Sequence, residues 1–269
     1  MNWKEPIDNI RKELTTYITE NNIRALVIGI SGGIDSALCA ALADPVCEFM
    51  GIPLIGRSLP ISTNKKDEIE RAIKVGAAFC TDFKEERNPS LEEIYDYYRK
   101  LLSITTGIDG TIEEKIRAGN IKARLRMIYL YDLAAEHKGM VLSTDNYTEL
   151  LLGFWTLHGD VGDYGMIQQL WKTEVYSMAQ YIVAMSDDDT QRSSLLDCIV
   201  AAPTDGLGIT NSDLDQLGAE NYGEVDRILQ AWIEGDGKEK YTDHPVVRRY
   251  ERTHFKRNNP WNIPRDKIF

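Results

Sequence analysis

Leu26-Val27-Ile28-Gly29-Ile30-Ser31-Gly32-Gly33-Ile34-Asp35-Ser36-Ala37-Leu38 decides the fold, because it reads as a buried strand, a tight glycine turn and a helix start in immediate succession. Val27, Ile28 and Ile30 form the short apolar run of a parallel strand covered on both faces, and Ala37 to Leu42 is rich in Ala and Leu, as a buried helix is. Working outward, Gly51 and Pro53 turn the chain into a second apolar run, Ile52 to Leu59, which Pro60 ends. Asn64 can cap a helix to about Ala78, and Ala77 to Phe83 reads as a third strand. This βαβαβ order within the first third of the chain predicts an α/β protein with a parallel sheet.

The turn also carries chemistry. Gly32 and Gly33 free the backbone for positive φ and for close approach of a ligand. The helix after them points unpaired N–H groups and its positive end at the turn, a site suited to phosphate, and Ser31 and Ser36 add hydroxyl donors. No Lys follows the glycines, so this is not a Walker A loop, and the third glycine of a dinucleotide fingerprint is missing. Asp35 would repel a phosphate unless a divalent cation lay between them, which predicts Mg²⁺ at Asp35. Ser-Gly-Gly-Ile-Asp-Ser resembles the SGGxDS loop of the ATP pyrophosphatases, which adenylate a carboxyl or carbonyl oxygen and release pyrophosphate.

The remainder of the chain bounds the function. Its 269 residues suit a single domain, with 43% hydrophobic and 27% charged residues, and no apolar run reaches the ~20 residues of a membrane span. Met1 to Tyr17 has no apolar core of a signal peptide, so the cytoplasm is the expected location. A net charge of −11 argues against general nucleic-acid binding. Cys39, Cys47, Cys80 and Cys198 are dispersed without a Cys-x-x-Cys pair, which predicts buried reduced thiols and neither zinc nor disulfides.

Further along, Trp3 to Glu20 has helical apolar spacing, Ser90 to Leu102 reads as an aromatic helix, and Thr111 to Lys138 as a long one in which Ile121, Leu125, Ile128 and Tyr129 face the core. Met140 to Ser143 is a fourth strand, running into Thr144-Asp145-Asn146-Tyr147-Thr148-Glu149. Glu149 offers the second carboxylate that a Mg²⁺ shared with pyrophosphate would prefer. A Gly- and Asp-rich loop, Gly153 to Asp163, follows. Lys172 opens a helix to about Met185, an odd place for a cation given the helix dipole unless a phosphate lies nearby. Asp187-Asp188-Asp189 reads as a solvated loop. A final helix from Thr242 to about Arg257 carries Arg248, Arg249, Arg252, Lys256 and Arg257, a local cluster that could collect a phosphorylated substrate.

Several of these segments, in order along the chain, resemble the NAD synthetases of the adenine nucleotide alpha hydrolase-like superfamily. Lys122-Ala123-Arg124-Leu125-Arg126-Met127 is similar to that family's KARxRM helix, Thr144-Asp145 and Glu149 to its GTDxxxE segment, Gly153 to Asp163 to its GFFTKxGDGGxD loop, and Pro203-Thr204 to its PTADL turn. The resemblance implies a doubly wound, mostly parallel five-stranded sheet with helices on both faces. It implies ATP on Gly29, Ile30, Ser31, Gly32, Gly33, Ile34, Asp35, Ser36, Thr144, Lys172 and Thr204, with Mg²⁺ on Asp35 and Glu149. Deamido-NAD would meet Arg124, Asp163 and Lys256, and Asp35, Asp160 and Lys172 would serve catalysis. The implied protein is an ammonia-dependent homodimer that turns deamido-NAD, ATP and ammonia into NAD, AMP and pyrophosphate. Leu157 stands where the family has a lysine, and the histidine before Lys256 is replaced by Phe255. These departures keep two alternatives: an amide ligase with another acceptor, such as a GMP synthetase-like enzyme, or a nucleotide-binding regulator without turnover.

Overall fold

Five parallel strands, in the spatial order Asp82–Glu85, Leu54–Ser58, Leu26–Gly29, Met140–Ser143 and Tyr164–Gly165, form the sheet. The computed structural model describes residues 2–62, 64–86, 89–105, 110–202, 214, 217–236 and 238–269. Helix α1 (Lys4–Glu20) precedes β1 (Leu26–Gly29), α2 (Ile34–Met50), β2 (Leu54–Ser58), α3 (Lys66–Phe79) and β3 (Asp82–Glu85). Next come α4 (Pro89–Leu101), α5 (Ile112–Glu136), β4 (Met140–Ser143), α6 (Tyr147–Leu152), β5 (Tyr164–Gly165), α7 (Lys172–Met185) and α8 (Asp189–Val200). The C-terminal part holds α9 (Tyr222–Glu234), α10 (Lys238–Tyr241), α11 (Pro245–Arg252) and α12 (His254–Arg257).

Strand alternation sorts the core. Leu26, Ile28, Leu54, Met140 and Leu142 turn toward α2 and join Leu38, Leu42, Val175 and Met178 in the largest apolar cluster, whereas Val27, Ile55 and Val141 turn the other way, onto Ala134 and Leu130 of α5. Both faces are covered, as an all-parallel sheet requires. Helix α2 is buried on nearly every side from Ile34 to Ala43, which its Ala-rich composition permits because small side chains let neighbours approach. Pro45 interrupts it by removing the N–H that would reach the Ala41 carbonyl. Arg11 Nη2 donates to that oxygen instead, at 3.2 Å.

A separate apolar cluster joins Leu151 and Leu152 of α6 to Val225, Ile228 and Leu229 of α9 and to Val246 and Val247 of α11. No helix among the described residues is long and apolar enough to cross a membrane.

The structure corrects several expectations. The third strand is Asp82–Glu85 rather than Ala77 to Phe83, because α3 continues to Phe79, whose side chain is buried in the helix-covered core. Asp187 to Asp189 is not merely a solvated loop: Asp188 Oδ1 accepts from Thr190 N at 2.7 Å and Gln191 N at 3.0 Å, capping the start of α8. The final helix does not begin at Thr242. Pro45's counterpart in this respect is Pro245, which lacks an N–H and starts α11 at its own position, and Thr253 breaks the remainder into α11 and α12. On α5 the buried face is Ala118, Gly119, Lys122, Ala123 and Leu125, while Ile128 is 60% exposed. The alanines set the close-packed side there, and Lys122 goes in with them, its ammonium over the Tyr95 ring at 5.2 Å. Cys39, Cys47 and Cys198 are buried free thiols and Cys80 is half-buried.

Candidate active site

The strand order reverses between β1 and β4, so their C-terminal ends leave a crevice, the position where open α/β sheets bind ligands. A cavity of about 290 Å³ lies there, walled by the β1–α2 turn, the end of β2, Thr144, Asp145, Glu149, Asp160 and Lys172. Of the two glycines in the turn only Gly32 uses the positive-φ freedom; Gly33 stays extended at φ −91°. Gly32 takes φ +83°, and a Cβ there would sit 2.1 Å from the Glu68 carbonyl oxygen. The Gly32 carbonyl accepts from Arg71 Nε at 3.0 Å and from Cys198 Sγ at 3.5 Å, which fixes the peptide's orientation. The serines brace the turn itself: Ser31 Oγ accepts from Gly33 N at 3.2 Å, and Ser36 Oγ accepts from Ser31 N at 3.2 Å and donates to the Gly33 carbonyl at 3.1 Å.

Asp35 sits in the first turn of α2 and Glu149 in the first turn of α6, 114 positions later in the chain, yet both reach the same cation. Lys172 Nζ donates to Asp35 Oδ2 at 2.5 Å and to Glu149 Oε1 at 2.9 Å. Burial alone would push the Lys172 ammonium down, but the charges of Asp35 and Glu149 more than reverse this and hold it well above its ordinary value. These carboxylates, together with the Tyr222 ring 5.3 Å away, explain a lysine in the first turn of α7. Asn146 Nδ2 donates to the second Asp35 oxygen at 2.8 Å, while its own Oδ1 accepts from Glu149 N at 3.0 Å. Asn146, three residues before Glu149, therefore caps α6 and ties the two carboxylates together; the Asn-x-x-Glu spacing is the signal that locates it.

Two converging carboxylates fit Mg²⁺, which binds proteins through one or two carboxylates and takes its other ligands from phosphates and water. No group of three or more His, Cys, Asp or Glu that could hold a metal occurs among the described residues. The donor set thus suits a cation shared with a phosphate ligand better than a closed structural site.

Acidic groups continue into the cavity. Burial, with the charges of Asp160 and Glu149, raises the Asp145 carboxyl well above the usual range, against a 3.3 Å hydrogen bond from Ser143 Oγ. Asp160 is open to the water of the cavity yet enclosed by protein bulk, which pushes it up to about 6, although Thr156 N donates to it at 2.6 Å and Lys256 and Arg126 favour its charged form. Arg126 lies across the cavity and anchors through Nε to the Leu59 carbonyl at 2.9 Å and through Nη2 to Asn64 Oδ1 at 2.8 Å; burial lowers it to about 10. Arg57, at the end of β2, spends Nη2 on Asp82 at 2.9 Å, and its buried Nε meets no acceptor among the described residues.

Of the residues expected to bind ATP, Gly29 to Asp35, Thr144 and Lys172 line this cavity, Ser36 braces it, and Thr204 lies outside the described residues. Arg124, Asp163 and Lys256 do not line it. Arg124 is exposed and donates to the Leu157 carbonyl at 3.2 Å. Asp163 accepts from Tyr131 OH at 2.9 Å and from Val141 N at 3.0 Å, an arrangement permitted by Gly162, where a Cβ would meet Ser143 N at 2.5 Å. Lys256 donates to the carbonyls of Gly153 and Trp155. The C-terminal cations are likewise engaged locally: Arg249 stacks on Phe154 at 3.7 Å and donates to the Leu152 carbonyl at 3.0 Å, and Arg257 donates to the Leu151 carbonyl. They satisfy the last carbonyls of α6.

A doubly wound parallel sheet with a glycine turn, two carboxylates and a lysine at its switch point defines an α/β protein with a site built for a phosphate-bearing ligand. The NAD synthase profile matches residues 6–260, and the chain belongs to that family. It is 35% identical over 227 residues to the NH(3)-dependent NAD(+) synthetase of Methanococcoides burtonii, covering 84% of this chain and 78% of that one. Among solved structures it superposes on the NMN synthetase of Francisella tularensis with a TM-score of 0.77 at 24% identity, covering 98% and 99% of the two chains. The NH3-dependent NAD synthetase of Campylobacter jejuni, solved with nitrate, gives a TM-score of 0.71 at 24% identity over 98% and 100%. These two likenesses concern the fold.

Proposed function

We propose that this chain is an ammonia-dependent NAD synthetase. ATP lies across the Gly29 to Ser36 turn, and the nicotinate carboxylate of deamido-NAD attacks its α-phosphorus. The P–O bond to pyrophosphate breaks, and ammonia then displaces AMP from the acyl adenylate to leave the amide. The observation that carries this reading is the convergence of Asp35, Glu149 and Lys172 beside the glycine turn. Mg²⁺ held by Asp35 and Glu149 would supply charge neutralisation on the phosphates when bound. Lys172, able to reach the same point, stabilises charge developing on the leaving pyrophosphate, and the helix start of α2 orients the triphosphate. Asp160, raised toward neutrality and facing the cavity, takes the proton that ammonia sheds as the C–N bond forms.

Arg124, Asp163 and Lys256 then belong to the acceptor's outer part, on a surface completed by a second copy of the chain. Ile94, Tyr97, Leu101, Ile112, Ile116 and Ile128 expose apolar surface on α4 and α5, which a homodimer would cover. A second reading keeps the chemistry but takes nicotinate mononucleotide. It draws on Leu157, apolar where a lysine would meet a further phosphate, and on Arg124 standing outside the cavity. One assay separates them: purified protein with ATP, Mg²⁺ and ammonium is given each acceptor in turn, and amide, AMP and pyrophosphate are followed. Equal yields of the three with deamido-NAD, at higher kcat/KM than with the mononucleotide, support the first reading. The reverse preference establishes the second, and no AMP with either removes both.

A further inference from the structure

We propose that Asp226, on α9 and outside the cavity, is a positioning residue that sets Lys172 and Glu149 in register for the reaction; the inference rests on the function proposed above. Its carboxylate is 3% exposed and accepts three short hydrogen bonds: from Thr148 Oγ1 at 2.6 Å, from Thr173 Oγ1 at 2.8 Å and from Thr173 N at 2.9 Å. Thr148 Oγ1 in turn accepts from Lys172 N at 2.9 Å. Every one of these groups lies in the first turn of α6 or α7, and Thr148 and Thr173 are chain neighbours of Glu149 and Lys172.

The local sequence shows why an acceptor from elsewhere is needed. The residue preceding α7 is Trp171, whose indole is a donor only and cannot cap the helix. The N–H groups of Lys172 and Thr173 would be unpaired in the interior. Asp226 and Thr148 supply the missing acceptors, so the cap of α7 comes from α9 and α6. A negative charge at that helix start also favours the helix dipole. The consequence is geometric: α6 and α7 cannot slide relative to each other without breaking the bonds to Asp226 and Thr148. The span from Lys172 Nζ to Glu149 Oε1, 2.9 Å, is held by this buried carboxylate together with the direct bond from Lys172 N to Thr148 Oγ1. Asp226 touches no cavity wall, so its effect on the reaction passes through Lys172.

The test compares Asp226→Asn, Thr148→Val and Thr148→Ser, measured well below their unfolding temperatures. Asp226→Asn keeps one acceptor oxygen and replaces the other with an NH2 donor, so the three bonds to Thr148 and Thr173 cannot all be kept as they stand; Thr148→Val deletes the hydroxyl that links Asp226 to Lys172 N, and Thr148→Ser keeps it. The expected result is a kcat lowered roughly 10- to 100-fold in the first two, the scale of a catalytic group displaced by ~1 Å, with KM for ATP within about twofold and with Thr148→Ser close to wild type. A second readout needs no turnover: competitive acylation of lysines, resolved by peptide mass spectrometry. Lys172 should gain reactivity in Asp226→Asn and Thr148→Val, with Lys122, buried over Tyr95, unchanged as the control. Full kcat and unchanged Lys172 labelling in folded Asp226→Asn and Thr148→Val would overturn the proposal, whatever happens to Tm, and reduce Asp226 to a structural tie. Should Asp226→Asn fail to fold, Thr148→Val and Thr148→Ser decide it. Should wild type prove inactive with both acceptors, the proposed function has failed, and the labelling pattern still decides whether Asp226 positions Lys172.

Discussion

Replacing Lys172 by Met keeps most of the side-chain volume and removes the charge on which the site converges. Lys172 Nζ lies 2.5 Å from Asp35 Oδ2 and 2.9 Å from Glu149 Oε1, so in the variant two carboxylates face each other no farther apart than those two lengths laid end to end. At roughly 5 Å and an effective dielectric constant of about 20, like charges repel by ~3 kcal/mol. Deleting one partner of a buried pair costs a comparable ~3–5 kcal/mol. The carboxylate side chains keep 17% and 18% of their surface open to water, which argues for the lower part of that scale, ~2 kcal/mol after screening. For a chain of this size that is a fall in Tm of roughly 4–8 °C. The ammonium's raised pKa means that wild type keeps this contribution across neutral pH and loses it only as pH climbs through the strongly alkaline range. Calorimetry with and without millimolar Mg²⁺ is the assay. A divalent cation can take the ammonium's place between the carboxylates, so Mg²⁺ should raise the Tm of Lys172→Met more than that of wild type. An unchanged Tm in the variant, or equal stabilisation of both proteins by Mg²⁺, would refute the reasoning.

Three further outcomes follow from particular residues. Gly32→Ala forces an L residue to φ +83° with its Cβ against the Glu68 carbonyl oxygen; a stability loss of ~1–3 kcal/mol and loss of ATP binding are expected by denaturant titration and calorimetry. Asp44, on α2, is pushed up to about 6, first by burial and then by Glu48, with Arg11 and Gln191 opposing. Its ionisation in the folded state is therefore a cost, fully present above about pH 6 and gone below its unfolded value, so Asp44→Asn should be more stable than wild type at pH 7.5 and lose that advantage near pH 4, read from unfolding curves across pH. Ile128→Asp places a charge on the exposed apolar face of α5 and tests the proposed homodimer by sedimentation: wild type is expected to run as a dimer and the variant as a monomer, and a wild type that runs as a monomer would remove that proposal.

Much of the architecture was legible because it is local. The glycine turn, its flanking strand and the helix after it are contiguous, and their periodicity alone gives the first βαβ unit. Lys172 was legible as an anomaly, a cation at a helix start, and its partners turned out to be carboxylates contributed by two other helices. The two-residue strand Tyr164–Gly165 was not readable, because two residues carry no alternation. Helix α8 was hidden by Asp187 to Asp189, whose charges read as solvated until one of them is seen to cap it. On α5, Leu125 is buried and Ile121 packs against the core as expected, but Ile128 was misread because it is more hydrophobic than Ala118 or Ala123, while close packing there selects small side chains over apolar ones. The roles of Arg71, Asn146 and Asp226 depend on contacts between residues 39, 111 and 53 positions apart, respectively, and only the Asn146 cap leaves a local trace.

The most direct measurement of the central claim follows oxygen rather than rate. If the acceptor's carboxylate attacks the α-phosphorus of ATP at the glycine turn, acceptor labelled with ¹⁸O in that carboxylate must deliver one label to AMP for each amide formed, seen by mass spectrometry of the nucleotide. AMP carrying a single ¹⁸O in step with amide is the predicted result. Unlabelled AMP beside labelled pyrophosphate would place the attack on the β-phosphorus, ADP beside labelled inorganic phosphate would place it on the γ-phosphorus, and either would contradict the account.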